Sequence, residues 1–376
     1  ENTAVGYAAL DASVTGNYNT AFGNYSLSAN TTSHNTAFGH NSLEYTTSGA
    51  YNTAVGSQAL QINTTGTYNA ACGANAADAN TTGANLTAMG SDALGANTTG
   101  SHNTACGSSA LGANTTASSN VAVGRHAMLA NTTGAENTAV GTQALDANTT
   151  SSTAAAFGYN ALGSNTTGDR NNAFGGHALA DNTTGTENNA FGTSALGDNT
   201  TGTYNNAFGR EALRVNTTGQ NNSAFGHQAL KSNTTGDHNT AVGYRAGEDL
   251  TTATQCTGIG EKALLNVTTG QTNTALGFQS MVTCTTGSHN TALAPFSLNL
   301  LTTGQYNTAA GLNAGADVTT GDNNLLLGIN AGRSSSPSGT ITTGDNNVCL
   351  GNNSISNLFC ADTSISSSDS RDKTDV

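Results

Sequence analysis

Six cysteines, eight histidines and a scatter of carboxylates are the residues of this 376-residue chain that could do chemistry. Their spacing limits what they can do. No CxxC pair occurs, so the usual zinc-binding arrangement is missing. His34, His102, His238 and His289 fall at one recurring position, which elsewhere holds Tyr18, Tyr51, Tyr68, Tyr204, Tyr306, Glu136, Glu187 and Arg170. A position that accepts imidazole, phenol, carboxylate and guanidinium faces solvent. Its histidines are too dispersed to meet at a metal within one chain, and only three copies presenting one His each on a shared axis would change that. Asp181 and Asp198 are the carboxylates best placed to approach each other, yet two like charges on a surface do not by themselves perform acid and base work. No metal and no cofactor are expected. The five tyrosines form a candidate ligand column, able to stack on sugar faces beside Asn and His hydrogen-bonding groups. The plainer reading is that they keep the surface soluble.

What positions these residues is a repeat. Asn35-Thr36-Ala37-Phe38-Gly39 returns as Asn52-Thr53-Ala54-Val55-Gly56, and the Gly recurs in steps of 17 residues from Gly39 to Gly328, with Ala294 the one replacement. Gly6 and Gly23 precede the run, and Gly351 follows a six-residue insertion. A fixed period of this length means a solenoid. No stretch carries helical apolar spacing, so each repeat reads as two short strands, "NTAFG" and "SAL", joined by a turn at "NTTG". Coils stacked at about 4.8 Å make a rod on the order of 100 Å long. The fold class is all-β, a parallel β-solenoid or β-roll of 17-residue coils. The paired Thr of "NTT" does not suit an ice-binding face, because neighbours in extended chain point opposite ways and this segment is a turn.

Columns can be numbered from the Gly. The residue before it is apolar: Val5, Phe22, Phe38, Val55, Cys72, Met89, and later Phe157, Phe174, Phe191, Phe208 and Phe225. This column is expected to fill the coil. The residue before that is nearly always Ala and must point the other way. A wet Ala face would then be covered by another copy, and a threefold bundle is the natural closed arrangement for a long rod. Cys72 and Cys106 lie two coils apart, about 9.6 Å by the stacking distance, too far for a disulfide. They read as apolar filler. Seven places after the Gly stands Asn, from Asn63 to Asn233, replaced later by Leu250, Val267, Cys284, Leu301 and Val318. A site that accepts Leu and Val faces inward, so these Asn side chains should form an amide ladder, and their "NTT" sequons should be poor glycosylation acceptors. The chain thus divides into an Asn-ladder shaft (1–245), more apolar coils (246–351) and a Ser/Asp-rich tail (352–376).

Composition excludes other classes. Only 9% of residues are charged and the net charge is −13, which offers nothing to nucleic acid or to an anionic membrane surface. No apolar run is long enough for a membrane helix. The first residues lie inside a repeat, so the chain is expected to be a piece of something longer.

The motif "NTAVGxxALxxNTTG" resembles the left-handed β-roll repeats of trimeric autotransporter adhesin heads, over about residues 1–351. The segment "SSSDSRDKTDV" is similar to the start of the peptidase S74 intramolecular chaperone domain of phage tail fibres. That resemblance implies that Ser368 attacks its own carbonyl, that Lys373 assists, and that the Ser368-Asp369 bond is cut near Arg371. Both resemblances imply a homotrimer without enzymatic activity beyond self-cleavage. The expectation is a structural fibre, foremost a phage tail-fibre shaft that contacts a host-surface glycan or receptor, located in the virion or at a cell surface. A bacterial surface adhesin and a polysaccharide-cleaving tail spike are the alternatives.

Overall fold

The computed structural model describes residues 1–357. Twenty-one strands of three residues, β1 (Thr3–Val5) to β21 (Val348–Leu350), form one parallel sheet, and no helix occurs among the described residues. Each strand pairs with the next in sequence without slippage, so that Asn172 meets Asn189, Ala173 meets Ala190 and Phe174 meets Phe191. The chain is a parallel β-solenoid, and each column of the repeat becomes a line of residues along its axis. The segment "SAL" lies in turns rather than a second strand: Ala59 and Leu60 are buried there and Leu60 N–H donates to the Ala76 carbonyl of the next coil over 2.9 Å, but Gln58 and Leu60 have left-handed backbone that no strand adopts.

Each complete coil turns sharply at three positions of left-handed backbone. In the coil of Gly56 these are Tyr51 (φ 60°), Gln58 (φ 61°) and Leu60 (φ 51°). Gly56 itself has φ 140°, and a Cβ there would collide with the carbonyl of Gly73 in the next coil. Glycine meets both demands without strain, which explains the period marker, and Ala294 is the one exception along the 17-residue run.

The interior corrects the expected orientation of the strands. Ala54 is 0% exposed whereas Val55 is 39% exposed, and the same holds along the rod: Ala faces in and the residue before the Gly faces out. The reason is thickness. Leu60, arriving from the opposite wall through its left-handed turn, fills the space between the walls and leaves room only for methyl groups at Ala54 and Ala59. Size compensation supports this packing. Where Leu326 replaces the inward Ala, the facing Leu position is Gly332 in its own coil and Gly315 in the coil before. Cβ atoms at those glycines would stand 3.2 Å and 2.6 Å from Leu326 methyls. The large outward residues therefore form no core, Cys72 and Cys106 are exposed rather than filler, and the Ala face cannot be a contact between copies because it is already buried.

Two amide ladders complete the interior. Asn80 Nδ2 donates to Asn63 Oδ1 over 2.8 Å and to the Gly83 carbonyl over 3.0 Å, and the pattern recurs up to Asn233. A second ladder, four places before the Gly, has no counterpart in the sequence reading. Asn52 Oδ1 accepts the backbone N–H of Asn69 over 3.0 Å, while Asn52 Nδ2 donates to Gly66 over 2.9 Å. Leu86, Ala154 and Cys256 interrupt that column, the same tolerance that marks the first ladder as internal.

Candidate functional site

With core and backbone accounted for, what remains is the exterior: the outer face of the strands, the tyrosine column, and two shallow troughs.

On the outer face the residues one and three places before the Gly project together. Phe157, Phe174, Phe191, Phe208 and Phe225 stack with centroids 4.7 to 4.9 Å apart and ring planes within 8°. Beside them Asn172 Nδ2 donates to Asn189 Oδ1 over 2.8 Å, and Asn189 Nδ2 to Asn206 Oδ1 over 2.9 Å. Phe208 remains 37% exposed. Neither column contains a charged residue in any of the 21 strands.

The five tyrosines of the candidate ligand column occupy one line, but only three of them come together. Tyr18, His34, Tyr51 and Tyr68 stack continuously, with centroids 4.8 to 5.0 Å apart. Tyr306 stacks on His289 at 5.0 Å, and Tyr204 stands between Glu187 and Asn221. Both faces of Tyr51 are covered by its neighbours, so this ladder offers ring edges and hydroxyls to a ligand. A sugar stacked face-on would find only the ends.

The troughs open where small residues interrupt the wall. Gly95 and Gly112 leave a hollow of about 520 Å³ between Asp78 and Leu129. Burial raises the Asp78 carboxyl above its ordinary range, and the neighbouring Asp92 carboxylate adds to this. Ser91 Oγ and Asn75 Nδ2 hold Asp92 by hydrogen bonds of 2.8 and 3.1 Å. The second trough, about 200 Å³, brings together Asp181, Asp198, His177 and Arg214 around Gly197. Burial raises the Asp198 carboxyl, Arg214 lowers it, and Asp181 raises it further. Both hollows are open; the first is lined mostly by apolar surface, including Ala113, Leu129 and Ala130, and the second mostly by polar groups.

Among the described residues no group of three His, Cys, Asp or Glu side chains is arranged to hold a metal, and no helix is long and apolar enough to cross a membrane. Ser368, Asp369, Arg371 and Lys373 lie outside the described residues. Compared with family models, with curated proteins and with solved structures, the chain has no match in any of the three.

Proposed function

We propose that this chain is the shaft of an adhesive structural fibre, most directly a phage tail fibre that contacts the host surface, assembled as a homotrimer. The observation that carries the reading is the unbroken stack of 21 strands in constant register. Such a stack builds reach, about 96 Å from first strand to last, and repeats one exterior pattern along its length. Host-surface glycans are the proposed ligand class, met by the edges of the Tyr18, Tyr51 and Tyr68 ladder and by the amides and imidazoles beside it. Self-cleavage at Ser368-Asp369, with Lys373 assisting, belongs to the same reading. A bacterial surface adhesin is the alternative of the same class.

Binding of the labelled chain to host cells, with and without removal of surface glycans, tests the proposal. Retention that falls when glycans are removed, and that weakens severalfold in Tyr51→Ser/Tyr68→Ser, supports it. Equal retention on stripped and intact cells counts against glycan attachment. The Asp181 and Asp198 trough is the feature that favours a polysaccharide-cleaving spike. New reducing ends released from capsule polysaccharide, and lost in Asp181→Asn/Asp198→Asn, would replace the fibre reading with that one.

A further inference from the structure

We infer that copies of this chain pack side by side, parallel and in register, through the outer face of the strands, with the wide apolar patch around Leu325, Leu327 and Ile329 as the clamp. The inference rests on the fibre reading and deepens it by assigning the contact surface and the direction of the chains.

Four properties of this face select a second copy as the occupant. Both outward columns lack charge over all 21 strands, and the bordering column just after the Gly, to which Ile329 belongs, carries charge only at Arg125, Arg210 and Glu261. An area about 96 Å long and about 10 Å wide offers on the order of 1,000 Å² per copy, against the roughly 800 Å² that a stable interface takes from each partner. Its side chains recur at the strand spacing, 4.7 Å between Phe174 and Phe191. A globular partner has no matching period, whereas a second such stack has the same one. Stacked rings and an amide ladder are also the side chains that form dry contacts between sheets of identical strands.

Direction follows from the ends. In β11 (Asn172–Phe174) the outward residues are Asn172 and Phe174, followed by Gly176, so the apolar surface is one column wide. In β20 (Leu325–Leu327) the same three positions are Leu325, Leu327 and Ile329, and the next strand adds Val348, 68% exposed, and Leu350. Parallel, in-register copies bury this wide patch against itself. An antiparallel pair with its phenylalanine ladders aligned would set it against Thr53, Val55 and Ser57, and would leave apolar surface facing hydroxyls.

Cys72 and Cys106, exposed on this face, are reporters of the contact. In the full chain carrying Cys106→Ser, Cys349→Ser and Cys360→Ser, Cys72 is the one accessible thiol, since Cys256 and Cys284 are buried. A short bismaleimide should join Cys72 to Cys72 of another copy. The reciprocal variant, which keeps Cys106 and replaces Cys72, should link equally well. Leu327→Lys should raise the concentration at which copies dissociate by tenfold or more, with the coil fold unchanged by circular dichroism. If light scattering shows an oligomer but neither thiol links, or if Cys72 links only to a cysteine placed at Ala310, the copies meet on another face or run antiparallel. The inference then falls and the fibre reading stands on other contacts. A single-chain mass at high concentration overturns the inference and the oligomeric part of the fibre reading together.

Discussion

Asn80 hands a hydrogen bond back to Asn63 in the preceding coil and receives one from Asn97 in the next, at 2.8 and 2.9 Å. A buried amide so placed has its oxygen and its nitrogen satisfied by identical neighbours. Asn80→Ala should therefore cost at least about 1–3 kcal/mol, because Asn63 Oδ1 loses a donor and Asn97 Nδ2 loses an acceptor inside the rod. Denaturant unfolding of the variant measures this. Intact mass after expression in a glycosylating host should also show Asn80 and Asn131 unmodified, as both are fully buried.

The period marker makes a second prediction. Ala294 holds φ 142° where other coils have Gly, a conformation that strains any side chain. Ala294→Gly should stabilise the rod by about 1–3 kcal/mol. The reverse change, Gly192→Ala at φ 141°, should destabilise it by at least as much, since its Cβ would stand 2.6 Å from the backbone of Gly209. Thermal melts of the two variants should move in opposite directions.

Much of this was legible in the sequence because the period is strict. The first strand of each repeat, its register and the inward Asn63 column follow from it, the last because the position later accepts Leu250 and Val267, whereas the second expected strand, "SAL", is a turn. Inside and outside of the strand were not legible by residue size. With Ala on one face and Phe on the other, the larger residue reads as core, yet the coil is too thin for it once Leu60 has crossed from the far wall. The sequence did hold a signal, the coupled change to Leu326 with Gly315 and Gly332. The column of Asn52 and Asn69 was open to the same substitution test through Leu86, Ala154 and Cys256. The troughs depend on Gly95, Gly112 and Gly197 standing beside particular carboxylates, a conjunction of coils that no single repeat displays.

Thiol chemistry distinguishes the two faces. Burial pushes the Cys256 thiol up to about 11 and the Cys284 thiol up to about 12, and both sulfurs lie against backbone carbonyls, Gly270 at 3.3 Å and Gly287 at 3.6 Å. A maleimide at neutral pH should modify Cys72 and Cys106 in the folded chain and leave Cys256 and Cys284 untouched until denaturant is added. Peptide mapping reads each site. Protection of Cys72 only in the oligomer is compatible with this assignment, whereas protection in a proven monomer contradicts it.

Acid should loosen one coil in particular. Hydrogen bonds from Gln228 and Lys231, with the charges of Lys231 and Arg210 close by, hold the Glu211 carboxyl down to about 2 from its ordinary 4.5. A depressed carboxylate contributes stability above pH 4.5 that is lost as pH falls from there through about 2. Melting temperatures at pH 5 and pH 3 should differ less in Glu211→Gln than in the parent chain. An identical acid shift in both would show that Glu211 carries none of the dependence.

The central proposal is a rod whose outward apolar columns are covered by further copies of itself. Light scattering coupled to size exclusion tests this most directly. The prediction is a mass three times the 37.4 kDa of one chain, held on dilution into the low micromolar range. A mass of 37.4 kDa for the folded chain, with the phenylalanine ladder left open to water, would contradict it.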